Sequence, residues 1–128
     1  VENHPVRLSA TTTRVPVRDG HTGSISVGLE QKPDAQAIID AWRAFRGRPQ
    51  ELDLPSAPKQ PVVYLDEVNR PQPLLDVNRD NGMTVSVGRL RACPLFDYKF
   101  VALGHNTIRG AAGAAILNAE LMHSEGLL

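Results

Sequence analysis

Residues 106–122 set the hardest condition on the fold. Their pattern is helical and Asn106 stands where a cap residue belongs, yet the run Gly110-Ala111-Ala112-Gly113-Ala114-Ala115 fills the first half. A glycine inside a helix costs about 1 kcal/mol relative to alanine, so two of them need an offsetting gain. Close approach of another backbone is the simplest source. Ile108, Ala112, Ala115, Ala119 and Met122 form one stripe, and Gly110, Ala114, Leu117 and Leu121 form a second. Few positions are left to face water, so the helix asks for neighbours on most of its circumference. One small sheet covers only one side, and the pattern therefore predicts a further partner surface.

The rest of the chain alternates strand and helix signals. VRLSATTTRVPV (6–17) is rich in β-branched residues and reads as a strand or a bent pair of strands, with Pro16 near its end. Asp19-Gly20 is a turn signal. In SISVGLE (24–30), Ile25, Val27 and Leu29 alternate with polar or small residues, the pattern of a half-buried strand. Ala35, Ile38, Ile39, Trp42 and Phe45 have the spacing of an amphipathic helix over 34–46, with Asp34 as N-cap, Gly47 just past the C-terminus, and Arg43 and Arg46 suited to the helix dipole. Residues 47–61 and 66–82 carry six of the ten prolines, frame the short apolar run 62–65, and read as extended connections or surface loops. Asn81-Gly82 opens a second alternation of Met83, Val85 and Val87 against Thr84, Ser86 and Gly88, and 96–103 reads as its antiparallel neighbour across Cys93-Pro94. The expected fold is α+β: a mixed, mainly antiparallel sheet from 5–30, 61–65 and 83–104, with helix 34–46 and the last helix packed on one face. No repeat of solenoid or propeller period is present.

At 128 residues the chain suits one domain. Lys plus Arg equals Asp plus Glu at 14 each, which removes the broad basic surface of a nucleic-acid binder or of a protein held to acidic membranes. No apolar run reaches the roughly 18 residues needed to span a bilayer, and no leader pattern opens the chain, so a cytoplasmic location is expected. The single cysteine, Cys93, can form neither an internal disulfide nor a multi-cysteine zinc site, and no His/Cys spacing suggests a metal.

Among chemistry-bearing residues, His21 follows Gly20 on a loop and Arg14 lies seven residues before it. A guanidinium holds a carboxylate through paired hydrogen bonds and an imidazole titrates near neutrality, so the two suit an acidic substrate undergoing proton transfer. The plainer alternative is a solvated strand arginine and a turn histidine. His4 and His123 lie near the termini and read as solvated; His105 reads as a packing or capping neighbour. Cys93, before Pro94, reads as a structural thiol, with no helix N-terminus to activate it. Without a glycine-rich nucleotide loop or a nucleophile elbow, the residues amount to half a site: an acid/base group and an anion clamp.

Three stretches, RVPVRDGH (14–21), NGMTVSVGRLRACPLFDYKFVALGHN (81–106) and NTIRGAAGAAILNAEL (106–121), together resemble the carboxy-terminal catalytic and dimerisation domain of aspartate-semialdehyde dehydrogenases of the fungal and archaeal type, and LPSAPKQPVVYL (54–65) is in the same style. The resemblance implies a glyceraldehyde-phosphate-dehydrogenase-like carboxy-terminal domain over 1–128, with 106–124 as the last helix, packed on an amino-terminal NADP-binding domain. It implies NADP-dependent reductive dephosphorylation of aspartyl β-phosphate to aspartate β-semialdehyde and phosphate, a step toward threonine, methionine, isoleucine and, in some organisms, lysine. Arg14 would bind the substrate carboxylate, His21 would act as acid/base, and Asn106, at the start of the last helix, would contact the cofactor or simply cap the helix.

The family's nucleotide loop, nucleophilic cysteine and phosphoryl-gripping basic residues would precede Val1, and Cys93 does not match the nucleophile's surroundings. The 128 residues alone are therefore expected to be inactive and to hold no NADP. A homodimer is expected, through the sheet face that carries the Ser, Thr and Gly positions. The alternatives are a dimerisation or interaction module without chemistry, and a related N-acetylglutamyl-phosphate reductase domain, against which RVPV and HNTIRGAAG argue.

Overall fold

The structure, a computed structural model, describes residues 9–128. Its frame is a four-stranded sheet of His21–Val27 (β1), Val62–Leu65 (β2), Val85–Ala92 (β3) and Tyr98–Gly104 (β4), in the order β1-β4-β3-β2. β4 runs antiparallel to both β1 and β3, and β2 joins β3 in parallel. The helices are Ala35–Ala44 (α1), Arg48–Glu51 (α2), Pro73–Asp76 (α3) and Gly113–Ser124 (α4). This is the expected α+β class with a mixed, mainly antiparallel sheet.

Register sorts the strand residues onto two faces. Ile25 pairs with Phe100, Ala102 with Val87 and Val87 with Tyr64, which sets these side chains on one face. α1 lies over them: Trp42 stacks on Tyr64 at 5.8 Å and meets Phe100 edge-on at 5.0 Å. Asp34 caps α1 as expected, its carboxylate accepting from the Ala37 N–H at 2.7 Å. The helix ends at Phe45, however, and Gly47 is not its C-terminal glycine; in extended backbone, it is the N-cap of α2.

The first strand is shorter than expected. Residues 6–8, and His4 with them, lie outside the described residues, and 9–20 form no strand. Val15 and Val17 are exposed there. β-branched composition favours a strand only where a neighbour offers hydrogen bonds and a buried face, and Pro16 has no N–H to donate. β1 starts instead at His21 and stops at Val27, leaving Leu29 outside the sheet and 40% exposed.

The two proline-rich segments are more than the extended connections or surface loops expected: each carries a short helix and buried residues, although Val68 and Leu74 of 66–82 are exposed. Segment 66–82 folds across the sheet face opposite α1. Gly88 permits this: a Cβ there would lie 2.5 Å from the Arg70 carbonyl oxygen. Segment 47–61 buries Leu54, which forms a second small core with Met83 and Leu117 of α4.

Asp76, at the end of α3, holds segment 66–82 together. Its side chain is fully buried and accepts hydrogen bonds from Arg70 Nε at 2.7 Å and Nη2, from the Gln72 N–H at 2.8 Å, and from Arg79 Nη2 at 3.0 Å. Burial by itself would push this carboxyl up, but the hydrogen bonds from Arg70, Gln72 and Arg79 outweigh it and hold the group at about 2.

The last helix differs in its start. Residues Ile108–Ala112 wind as a wide turn, Gly110 N–H reaching the His105 carbonyl at 2.9 Å and Ala112 N–H the Thr107 carbonyl at 3.0 Å, before α4 proper begins at Gly113. Asn106 is not the cap. His105 Nδ1 accepts from the Thr107 and Ile108 N–H groups at 3.3 Å each, in the capping role expected of it. The close approach at Gly113 comes from the Met83 side chain, whose sulfur would lie 2.5 Å from an added Cβ. Leu117 faces inward, while Ala112, Ala115, Ala119 and Met122 are exposed, so the described residues cover α4 on one side only. Glu120 accepts from the Ser56 N–H and hydroxyl at 2.9 and 2.7 Å, and Glu125 from Arg48 Nε at 2.7 Å. No helix among the described residues is long and apolar enough to cross a membrane.

A carboxyl held at about 2 rather than 3.8 stabilises the fold above about pH 4, and that contribution is lost as pH falls through its folded value. It amounts to roughly 2 kcal/mol. Asp76→Asn leaves two arginines facing a neutral amide and is expected to lower stability at pH 7 by roughly 2–3 kcal/mol, measured by denaturant unfolding with Trp42 fluorescence. The gap between the two proteins should close toward pH 2; a gap independent of pH contradicts the assignment.

Candidate active site

Arg14 and His21 come together because the chain turns sharply at Gly20 and then enters the sheet. Gly20 has φ +110° and is buried, with Leu103 and Val77 against it, so a side chain there would be both strained and crowded. His21 is the first residue of β1 and pairs with Gly104, the last of β4. Two residues past Gly104, Asn106 turns back, and its Oδ1 accepts from the Gly20 N–H at 3.0 Å. Arg14, His21 and Asn106 thus line one open cavity of about 330 Å³, together with Arg18, Asp19 and Thr13.

The cavity is polar. Arg14 and His21 are exposed, and among the described residues neither side chain makes a hydrogen bond or ion pair within the chain. Two guanidinium groups and an imidazole against one carboxylate, Asp19, suit an anionic ligand of a few atoms. Arg18 went unnoticed in the sequence, since a charged residue on a loop carries no signal until the loop closes. Asn106 uses its oxygen on Gly20, which leaves its amide N–H groups to donate toward a ligand in the cavity.

The other candidates lie elsewhere. His105 is buried and serves the backbone, and His123 is exposed at the end of α4. Cys93 sits between β3 and β4, where the Leu95 N–H first, then the Phe96 N–H and the Ser26 hydroxyl, lower its thiol below the usual value against the opposing effect of burial. It adjoins the Tyr98 end of β4, whereas His21 adjoins the Gly104 end, roughly 20 Å away along the strand. Cys93 therefore cannot serve as a nucleophile beside His21. No cluster of potential metal ligands occurs among the described residues.

Residues 1–109 match the family described as "Semialdehyde dehydrogenase, dimerisation domain". The chain belongs to this family. It is 52% identical over 118 residues to the aspartate-semialdehyde dehydrogenase of Methanothermobacter thermautotrophicus, covering 91% of this chain and 34% of that protein. It is 48% identical over 125 residues to that of Cryptococcus neoformans, covering 96% and 34%. The crystal structure of aspartate semialdehyde dehydrogenase with NADP from Candida albicans superposes with a TM-score of 0.79 at 43% identity, over 89% of this chain and 32% of that one. Aspartate semialdehyde dehydrogenase II from Vibrio cholerae, at 21% identity and a TM-score of 0.65, shares the fold. The chain spans about a third of the length of these relatives. The wide turn and α4 lie mostly beyond the stretch that matches the dimerisation-domain family, although the longer pairwise matches reach into them.

Proposed function

We propose that this semialdehyde dehydrogenase domain contributes substrate-binding and proton-transfer residues to an NADP-dependent aspartate-semialdehyde dehydrogenase of the cytoplasm, which converts aspartyl β-phosphate to aspartate β-semialdehyde and phosphate. The observation that carries this reading is the convergence of Arg14, His21 and Asn106 on one polar cavity, in a chain about half identical to enzymes of that name.

Arg14 is suited to grip the substrate's α-carboxylate, because a guanidinium presents two parallel N–H donors to two carboxylate oxygens and so fixes orientation as well as position. Its exposure in the free chain leaves those donors available. His21, seven residues on at the start of β1, is suited to take up the proton that an attacking thiol releases as phosphate leaves the acyl carbon, and to hand a proton to the oxygen that gains charge when hydride reaches that carbon. The thiol and the nucleotide loop belong, by resemblance, to the part of the relatives that this chain does not match. NADPH, when bound, supplies the hydride. Asn106 can donate from its amide to the carboxamide of that cofactor without giving up Gly20.

The domain also serves as a dimerisation surface in this reading. Segment 66–82 covers the β3 half of the sheet face opposite α1, which narrows the proposed interface to the open strip of Thr22, Ser24 and Ser26 beside Lys99 and Val101. Light scattering on the purified chain is expected to give twice the chain mass, and Ser24→Arg to shift it toward one; a monomer at high concentration contradicts the interface.

The catalytic roles are tested by fusing the chain to the preceding two-thirds of the Methanothermobacter relative. His21→Asn should lower kcat by roughly 10²–10⁴ with little change in KM, and Arg14→Ala should raise KM for the aspartyl substrate. The unfused chain should show no turnover. Activity of His21→Asn within a few-fold of the parent fusion, or turnover by the unfused chain, contradicts the reading.

A further inference from the structure

We propose that Asn106 is a positioning residue for His21, acting through the backbone of Gly20. The inference deepens the reading of His21 as the proton-transfer group and rests on it for its consequence in catalysis. The tether itself stands on geometry alone.

Neither Arg14 nor His21 makes a hydrogen bond from its side chain among the described residues. Where the two side chains can reach is therefore set by the backbone that carries them, the loop at Arg14 and the first residue of β1 at His21. That loop is exposed from Thr11 to Arg18 and forms no strand. It becomes buried at Gly20, where Leu103, Val77 and Pro73 close around the Cα. Those contacts are apolar and restrain translation, but they do not fix the direction of the peptide plane. The hydrogen bond from the Gly20 N–H to Asn106 Oδ1, at 3.0 Å across 86 residues of sequence, does fix it, and the His21 Cα follows one peptide later.

The orientation of the Asn106 amide is not arbitrary. Its partner is a backbone N–H, which only donates, so the oxygen must face Gly20 and the NH₂ must face away into the cavity. The helix start makes no demand on this side chain, because His105 Nδ1 already accepts from the Thr107 and Ile108 N–H groups. Asn106 is thereby left for the loop. The bond lies just beyond the last rung of the β1–β4 ladder, since His21 pairs with Gly104 and Asn106 follows two residues later.

The test uses amide hydrogen exchange by NMR on the 128-residue chain, with the Ile25 and Phe100 amides of the β1–β4 pairing as internal references. Asn106→Ala removes the acceptor; Asn106→Asp keeps an oxygen at the same reach and removes the NH₂. Asn106→Ala is expected to lower Gly20 protection roughly tenfold and to broaden or split the His21 ring signals, with the reference amides unchanged. Asn106→Asp is expected to restore both. Gly20 protection that survives in Asn106→Ala overturns the proposal, and so does equal loss in both variants. Should Asn106→Ala unfold the chain, the Asp variant alone decides: retained Gly20 protection supports the tether and its loss overturns it. Failure of the catalytic reading is separate, since a fully active His21→Asn fusion leaves these exchange rates untouched.

Discussion

The buried Asp76 carboxylate governs more of this structure than its place on a one-turn helix suggests. A charge taken out of water must be matched by donors, and Arg70, Arg79 and the Gln72 N–H supply them. Satisfying the carboxylate winds segment 66–82 into a compact strap, which lies over Gly88 on one side and places Pro73 and Val77 against Gly20 on the other. Gly20 then forms the turn that starts β1 at His21. The same ion cluster that stabilises the strap thus shapes the floor of the candidate active site, although no member of the cluster enters the cavity.

Much of this was legible in the sequence where local pattern and final environment agree. The alternation of Ile25 and Val27, the periodicity from Ala35 to Trp42 behind an Asp34 cap, and the apolar run 62–65 each meet the face they require. The Arg14 and His21 pair stood out because a histidine after a glycine turn and an arginine seven residues earlier are chemically complementary, and the resemblance gave the pairing a purpose. What stayed hidden depends on partners far apart in the chain. Nothing local says that Asp76 will be buried by Arg70 and Arg79, that Pro58, Pro61 and Pro71 will be buried, or that Asn106 will spend its oxygen on a residue 86 positions away instead of on a helix. The β-branched run before Pro16 misled for the converse reason: its propensity is real, but no strand edge pairs with residues 9–17.

The Gly/Ala helix shows how a composition can be read correctly in kind and wrongly in detail. Its small residues do mark close contact, yet the contact is Met83 against Gly113, and the first turn is wound wide instead of regular. One face is held by Leu117, Glu120 and Glu125; the other presents Ala112, Ala115, Ala119 and Met122 outward. The domain is self-consistent around its sheet, gathers Arg14, His21 and Asn106 around one cavity at an end of it, and matches about a third of each relative.

The central claim is that the end of the sheet where β1 begins and β4 ends forms a carboxylate-accepting site built on Arg14 and His21. It is tested most directly by titrating the isotope-labelled chain with a four-carbon dicarboxylate and following every amide and the His21 ring. Binding should be weak, with shifts confined to Arg14, Arg18, Gly20, His21 and Asn106, and it should vanish in Arg14→Ala. Shifts spread over exposed arginines elsewhere, such as Arg43 and Arg48, or binding that survives Arg14→Ala, would show that the cavity is not the site.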